Sequence, residues 1–88
     1  MNDSRKTKIL IVEDESIVAR DLQCSLEDLN YEVCGIAASS DEAIALAREK
    51  VPDLVLMDVR ISGKRDGIET AHVIRAEMEV PVIYLTAH

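Results

Sequence analysis

Four short apolar runs, each separated from the next by a stretch of helical periodicity, constrain the fold of this chain more than any other feature. Lys8-Ile9-Leu10-Ile11-Val12 and Leu54-Val55-Leu56-Met57 are near-continuous aliphatic runs. Such runs suit strands buried on both faces of a sheet. Tyr31 to Ala37 and Val82-Ile83-Tyr84-Leu85 read as two further strands, the last introduced by Val80-Pro81. Between the first two runs in chain order, Ile17, Val18, Leu22, Leu26 and Leu29 recur at three- and four-residue intervals from Ser16 onward. This spacing predicts an amphipathic helix, with Asn30 as a left-handed stop. Ser39 and Glu42 have the spacing of a capping box, opening a second helix through Ala43 and Ala47 to about Lys50, where Pro52 limits extension. A polar loop from Arg60 to Asp66 precedes a third helix carrying Ile68, Ala71, Ile74 or Arg75, and Met78 on one side. The order βαβαβαβ, with connections of helical length, predicts right-handed crossovers and a parallel sheet covered by helices on both faces.

The chain has 88 residues, enough for one small domain, and we find no internal repeat, linker or low-complexity segment. Residues 1–7 form a polar leader expected to fray, and the domain begins at Lys8. With Tyr31 and Tyr84 the only aromatic residues, the core has to be aliphatic. A formal charge of -7 opposes direct nucleic-acid binding, which needs a basic surface, and Arg5-Lys6 and Lys64-Arg65 are too short to reverse that. Cys24 and Cys34 lack metal-site spacing and read as two buried, reduced thiols. No apolar run has the length of a membrane span and no secretory pattern opens the chain, so a cytoplasmic location away from membranes is expected.

In open parallel sheets, ligands bind beyond the carboxyl ends of the strands, where strand order reverses. The first strand ends in Glu13-Asp14 and the third in Asp58. Taken singly, each acid is an ordinary turn or capping residue. If the two strands are neighbours, about 5 Å apart, the three carboxylates converge, and repulsion raises at least one pKa unless a cation joins them. Oxygen ligands open to solvent suit Mg²⁺. Thr86 ends the fourth strand, its hydroxyl directed at the same crevice, and small Ala87 leaves room there for a bound group. Gly35, Gly63 and Gly67 form no phosphate-cradling loop, and His72 and His88 have no second ligand beside them.

These residues together resemble the receiver domain of two-component response regulators. The matching pieces are Ile9 to Glu15, Asp53 to Asp58, Asp66-Gly67-Ile68-Glu69 and Pro81 to Ala87, and the likeness runs from about Lys8 to His88. It implies a flavodoxin-like, three-layer α/β fold with strand order 2-1-3-4 and a fifth strand absent from this chain. It further implies that Asp58 accepts a phosphoryl group from a histidine kinase or phosphotransfer protein. Glu13, Asp14, one Asp58 oxygen and the backbone carbonyl of Arg60 would then hold Mg²⁺. Thr86 would be the switch hydroxyl that bonds the phosphoryl group, with the Ala87 backbone lining the pocket. The module would act on an output domain or effector outside this chain, and any catalysis would be of its own modification.

Two departures stand out. Arg60-Ile61-Ser62-Gly63-Lys64-Arg65 replaces the family's usual Met-Pro loop and is one residue longer. The sequence also stops at His88, ahead of the Lys and the switch aromatic that the family carries further on. A receiver cut here would expose its fourth strand as an apolar edge and uncover part of one sheet face, so residues 1–88 are expected either to belong to a longer chain or to self-associate through that edge and face. Two alternatives compete with the phosphorylated switch. A receiver-like interaction domain would work without phosphorylation. An aspartyl-nucleophile phosphatase of the haloacid-dehalogenase kind would need an acid two residues after Asp58, and that position is Arg60.

Overall fold

The computed structural model describes residues 5–61, 63 and 65–85. The elements follow the expected alternation: β1 (Lys8–Val12), α1 (Ser16–Asp28), β2 (Glu32–Ala37), α2 (Ser40–Lys50), β3 (Leu54–Asp58), α3 (Gly67–Met78) and β4 (Val82–Leu85). The strands form one parallel sheet in the order β2-β1-β3-β4. The order doubles back after β2, so right-handed crossovers put α1 on one face and α2 and α3 on the other.

The two central strands are the aliphatic runs, as burial on both sides requires. Leu10, Val12, Val55 and Met57 join Ala43, Ile44, Ala47 and Ile74 in the main core beneath α2 and α3. Ile9, Ile11 and Leu56 alternate to the other face and are also buried. α1 packs over β1 and β2. Its buried line is Ala19, with Leu22, Gln23 and Leu26 half-covered, at positions i, i+3, i+4 and i+7. Ile17 (76% exposed) and Leu29 (68%), expected within the apolar stripe, stand in solvent. The helix is rotated so that small Ala19 lies closest to the sheet.

The helix ends show which local signals were sufficient. Asn30 adopts a left-handed φ of 71°. Its N–H donates to the Glu27 carbonyl, and that of Tyr31 to the Leu26 carbonyl, which closes α1 in a Schellman motif and leaves Tyr31 just outside β2. Ser39 caps α2 by accepting from the Glu42 N–H at 3.3 Å, but the Glu42 carboxylate accepts from Ala38, so the reciprocal arm of the expected box is displaced by one residue. A complete capping box forms instead at Asp66 and Glu69, opening α3. Cys34 is the extra residue at a register shift opposite Ile9 and Leu10 and is half-buried; its burial pushes the thiol pKa up. Cys24 is exposed on α1, contrary to the expected pair of buried thiols. Among the described residues, no helix is long and apolar enough to cross a membrane.

Val51 closes α2 at φ 47°, ψ 66°. A β-branched residue in the left-handed region is strained, and Pro52 beside it narrows the choice further. Its side chain is 61% exposed, so little packing depends on it. Val51→Asn is expected to stabilise the fold by about 1 kcal/mol, the scale of a non-glycine left-handed penalty. Urea unfolding should show a higher midpoint with an unchanged slope; an equal or lower midpoint would mean that the valine is not strained.

Candidate metal and phosphoryl site

The site follows from register. Val12 pairs with Met57 across β1 and β3, so the next residues, Glu13 and Asp58, emerge side by side at the carboxyl end of the sheet. The Glu13 N–H donates to the Ala37 carbonyl of β2 at 2.9 Å, which extends the sheet by one step and anchors this end of β1. Glu13 is 4% exposed and Asp58 6%, whereas Asp14 is open to solvent. One carboxylate oxygen from each of the three lies within 4.8 Å of the others. The expectation that Glu13, Asp14 and Asp58 converge therefore agrees with the geometry.

Local backbone bonds orient the two buried acids. Glu13 Oε2 accepts from the Glu15 N–H at 3.0 Å, and Asp58 Oδ1 accepts from the Arg60 N–H at 3.0 Å. Each carboxylate is thus tied to an amide two residues ahead in its own loop. Arg60, whose carbonyl was expected to be a ligand, is placed by this bond in the first turn after β3, with an exposed side chain. α1 begins after Glu15, which makes no side-chain cap, so neither Glu13 nor Asp14 serves as its N-cap. Burial pushes the Glu13 pKa up; the Glu15 amide opposes this, while neighbouring Asp58 and Asp14 add to the rise. Three acids with this chemistry fit a hard divalent cation with oxygen ligands. Thr86 and Ala87 lie outside the described residues.

Gly67, set aside in the sequence as a phosphate-loop glycine, is the structural backing of the site. A Cβ at Gly67 would overlap the Asp58 carbonyl oxygen and lie 2.6 Å from Val59 Cα. The Gly67 N–H donates to the Val59 carbonyl at 3.0 Å. The first turn of α3, closed by its capping box, is therefore pressed directly onto the end of β3. The pattern Asp66-Gly67-x-Glu69 held both the box and the close approach, but spacing alone does not reveal which backbone a glycine must touch.

The ionised form of Glu13 is disfavoured in the fold, so the stability that depends on its protonation is present at low pH and is lost as pH rises through the raised pKa. Glu13→Gln keeps an acceptor for the Glu15 amide and removes the charge. In metal-free buffer at neutral pH it should raise the melting temperature, and the gain should vanish below about pH 4, where both states protonate the native residue. A melting temperature unchanged or lowered at neutral pH would contradict the raised pKa of Glu13.

Comparison with known proteins places this geometry in context. The model of the response regulator receiver domain matches residues 9–88. The phyllosphere-induced regulator PhyR of Methylorubrum extorquens is 39% identical over 83 residues, covering 93% of this chain and 31% of its own length. The transcriptional regulatory protein PdtaR of Mycobacterium tuberculosis is 41% identical over 80 residues, 91% of this chain and 38% of its own. The crystal structure of the response regulator PhyR from Brucella abortus superposes with a TM-score of 0.88 at 37% identity, over 96% of this chain and 35% of that one. The chain thus spans about a third of the length of these relatives, which are named as regulators. With the flavodoxin-like order 2-1-3-4 and the acidic cluster at its carboxyl edge, the chain belongs to the response regulator receiver domain family of two-component systems.

Proposed function

We propose that this domain is a phosphorylation switch in which Asp58 takes a phosphoryl group from a histidine kinase or phosphotransfer protein. The observation that carries this reading is the placing of Asp58, almost buried at the end of β3, against Glu13 and within reach of Asp14. Receiver domains generally bind Mg²⁺ at such an acidic pocket. Here Glu13, Asp14, one Asp58 oxygen and the Arg60 carbonyl would hold the ion. When bound, it supplies positive charge that offsets the carboxylates and the phosphoryl oxygens.

The free Asp58 oxygen attacks phosphorus, the bond from phosphorus to the donor's histidine nitrogen breaks, and an acyl phosphate forms. The Arg60 N–H, bonded to Asp58 Oδ1, fixes the carboxylate's rotation so that one oxygen is committed and the other is available. Leu85 pairs with Asp58 across β3 and β4, and Thr86 and Ala87 follow it directly in sequence. The Thr86 hydroxyl and the Ala87 backbone are assigned to the phosphoryl oxygens, so that modification biases the segment after β4 and, through it, an output domain or effector. Association through β4, an edge of the sheet among the described residues, is a further route to a partner or a second copy. A cytoplasmic location accords with a kinase donor. The phosphatase reading is disfavoured because the residue two after Asp58 is Arg60, which supplies no carboxyl for general acid–base work.

Two experiments test the reading. In Mg²⁺ titrations followed by amide NMR, Glu13, Asp14, Asp58 and Arg60 should shift most, and Asp14→Asn should weaken binding at least tenfold, the usual order for losing a charged ligand. An unchanged response in Asp14→Asn would show that the ion binds elsewhere. Incubation with Mg²⁺ and a small acyl-phosphate donor, on this domain and on any longer chain that contains it, should add one phosphate that Asp58→Ala abolishes. Labelling that survives Asp58→Ala would assign the acceptor to another residue, and labelling absent from every chain tested would favour a phosphorylation-independent interaction domain.

A further inference from the structure

The loop between β3 and α3 differs from the rest of the site in how it is held. Three of its alternate residues engage other parts of the molecule. Ile61 is buried in the main core. Gly63 lies flush on Ser40, the first residue of α2: a Cβ there would be 2.5 Å from Ser40 Oγ and 3.1 Å from the Ser40 nitrogen. Arg65 reaches Asp41 in the same turn of α2 at 4.0 Å. Gly63 has a φ of 117°, which side-chain-bearing residues rarely adopt. Ser40 is completely buried, and its Oγ has no hydrogen-bond partner among the described residues. A buried hydroxyl without a partner is retained at a cost. Capping does not explain it, because Ser39 already caps α2.

We propose that Ser40 and Gly63 form a seam that positions the β3–α3 loop, and with it the Arg60 peptide, against the acidic cluster. Arg60 sits between two fixed points, the Asp58 carboxylate that receives its N–H and the Ile61 side chain in the core. Beyond Ile61, the contact between Gly63 and Ser40 sets how closely the loop approaches α2. Added bulk on either side of the seam pushes the loop outward and turns the Arg60 peptide, which weakens its N–H bond to Asp58 and moves its carbonyl. Ser40 and Gly63 are therefore positioning residues that touch neither ion nor phosphoryl group. This inference rests on the proposed Mg²⁺ site for its functional consequence, while the position of the loop can be read without metal.

The test uses Gly63→Ala and Ser40→Thr, with Ser40→Ala as the control that removes the hydroxyl and adds no bulk. In metal-free protein, amide hydrogen exchange at Arg60 should be faster in Gly63→Ala and Ser40→Thr and unchanged in Ser40→Ala. Mg²⁺ titration should show affinity weakened about tenfold in the two bulky variants, as for other groups that orient metal ligands, and close to native in Ser40→Ala. A merely structural role would lower the melting temperature of the bulky variants without moving either Arg60 exchange or Mg²⁺ affinity, and would overturn the proposal. If Ser40→Thr does not fold, Gly63→Ala, an exposed residue whose new methyl presses on Ser40, decides alone. Absence of Mg²⁺ binding in the native protein would remove the metal reading, and the seam would then stand or fall on Arg60 exchange.

Discussion

The placing of Glu13 against Asp58 is the constraint around which this domain is built. Two acids, each almost excluded from solvent, emerge from neighbouring central strands whose preceding residues, Val12 and Met57, are fully buried. Nothing in the packing of an aliphatic core calls for carboxylates here, and burial, with Asp58 and Asp14 close by, raises the Glu13 pKa, so its ionised form is held at a cost unless a cation joins it. The surroundings stop the acids from relaxing away. The Glu13 amide is tied to β2, each carboxylate is bonded to an amide two residues on, and α3 presses on the Asp58 backbone through a glycine that leaves no gap. The crowding is therefore preorganised, and a cation or a covalent modification at Asp58 would act directly on it.

Much of this was legible in the sequence, for reasons that can be stated residue by residue. The aliphatic runs at Ile9–Val12 and Leu54–Met57 have no solvent-facing alternation, so their position in the middle of a doubly covered sheet follows from pattern alone. Their polar successors then had to lie at the carboxyl edge. Strand order was not legible from periodicity and came from the resemblance, which the observed order β2-β1-β3-β4 matches. Asn30 worked as a stop signal because a left-handed conformation suits that side chain. Val51 and Glu79 adopt the same conformation without any such preference, imposed by helix ends that must turn before a proline strand entry.

The features that escaped the sequence reading depend on close approach between distant segments. Periodicity identified α1 but not the angle at which it lies, so Ile17 and Leu29 were assigned to a buried stripe that Ala19, Leu22 and Leu26 in fact occupy. Gly67 and Gly63 look alike as letters, yet one backs the Asp58 peptide and the other abuts the first turn of α2. The loop that departs from the usual family pattern is also the one held by contacts with α2. Gly63 lies against Ser40 and Arg65 reaches Asp41, so the loop meets the first turn of α2 at two points.

The central claim is that burial, with Asp58 beside it, holds the Glu13 carboxylate at a raised pKa, and titration of the individual carboxyl groups tests it most directly. Carbon-13 NMR of the side-chain carboxyls, in metal-free buffer, should show Glu13 titrating above the ordinary glutamate range. Asp58→Asn should lower that midpoint, because it removes a neighbouring charge while leaving the pocket buried. Saturating Mg²⁺ should lower it further than the substitution does. A Glu13 that titrates at or below its ordinary value, and that ignores both the substitution and the ion, would contradict the account.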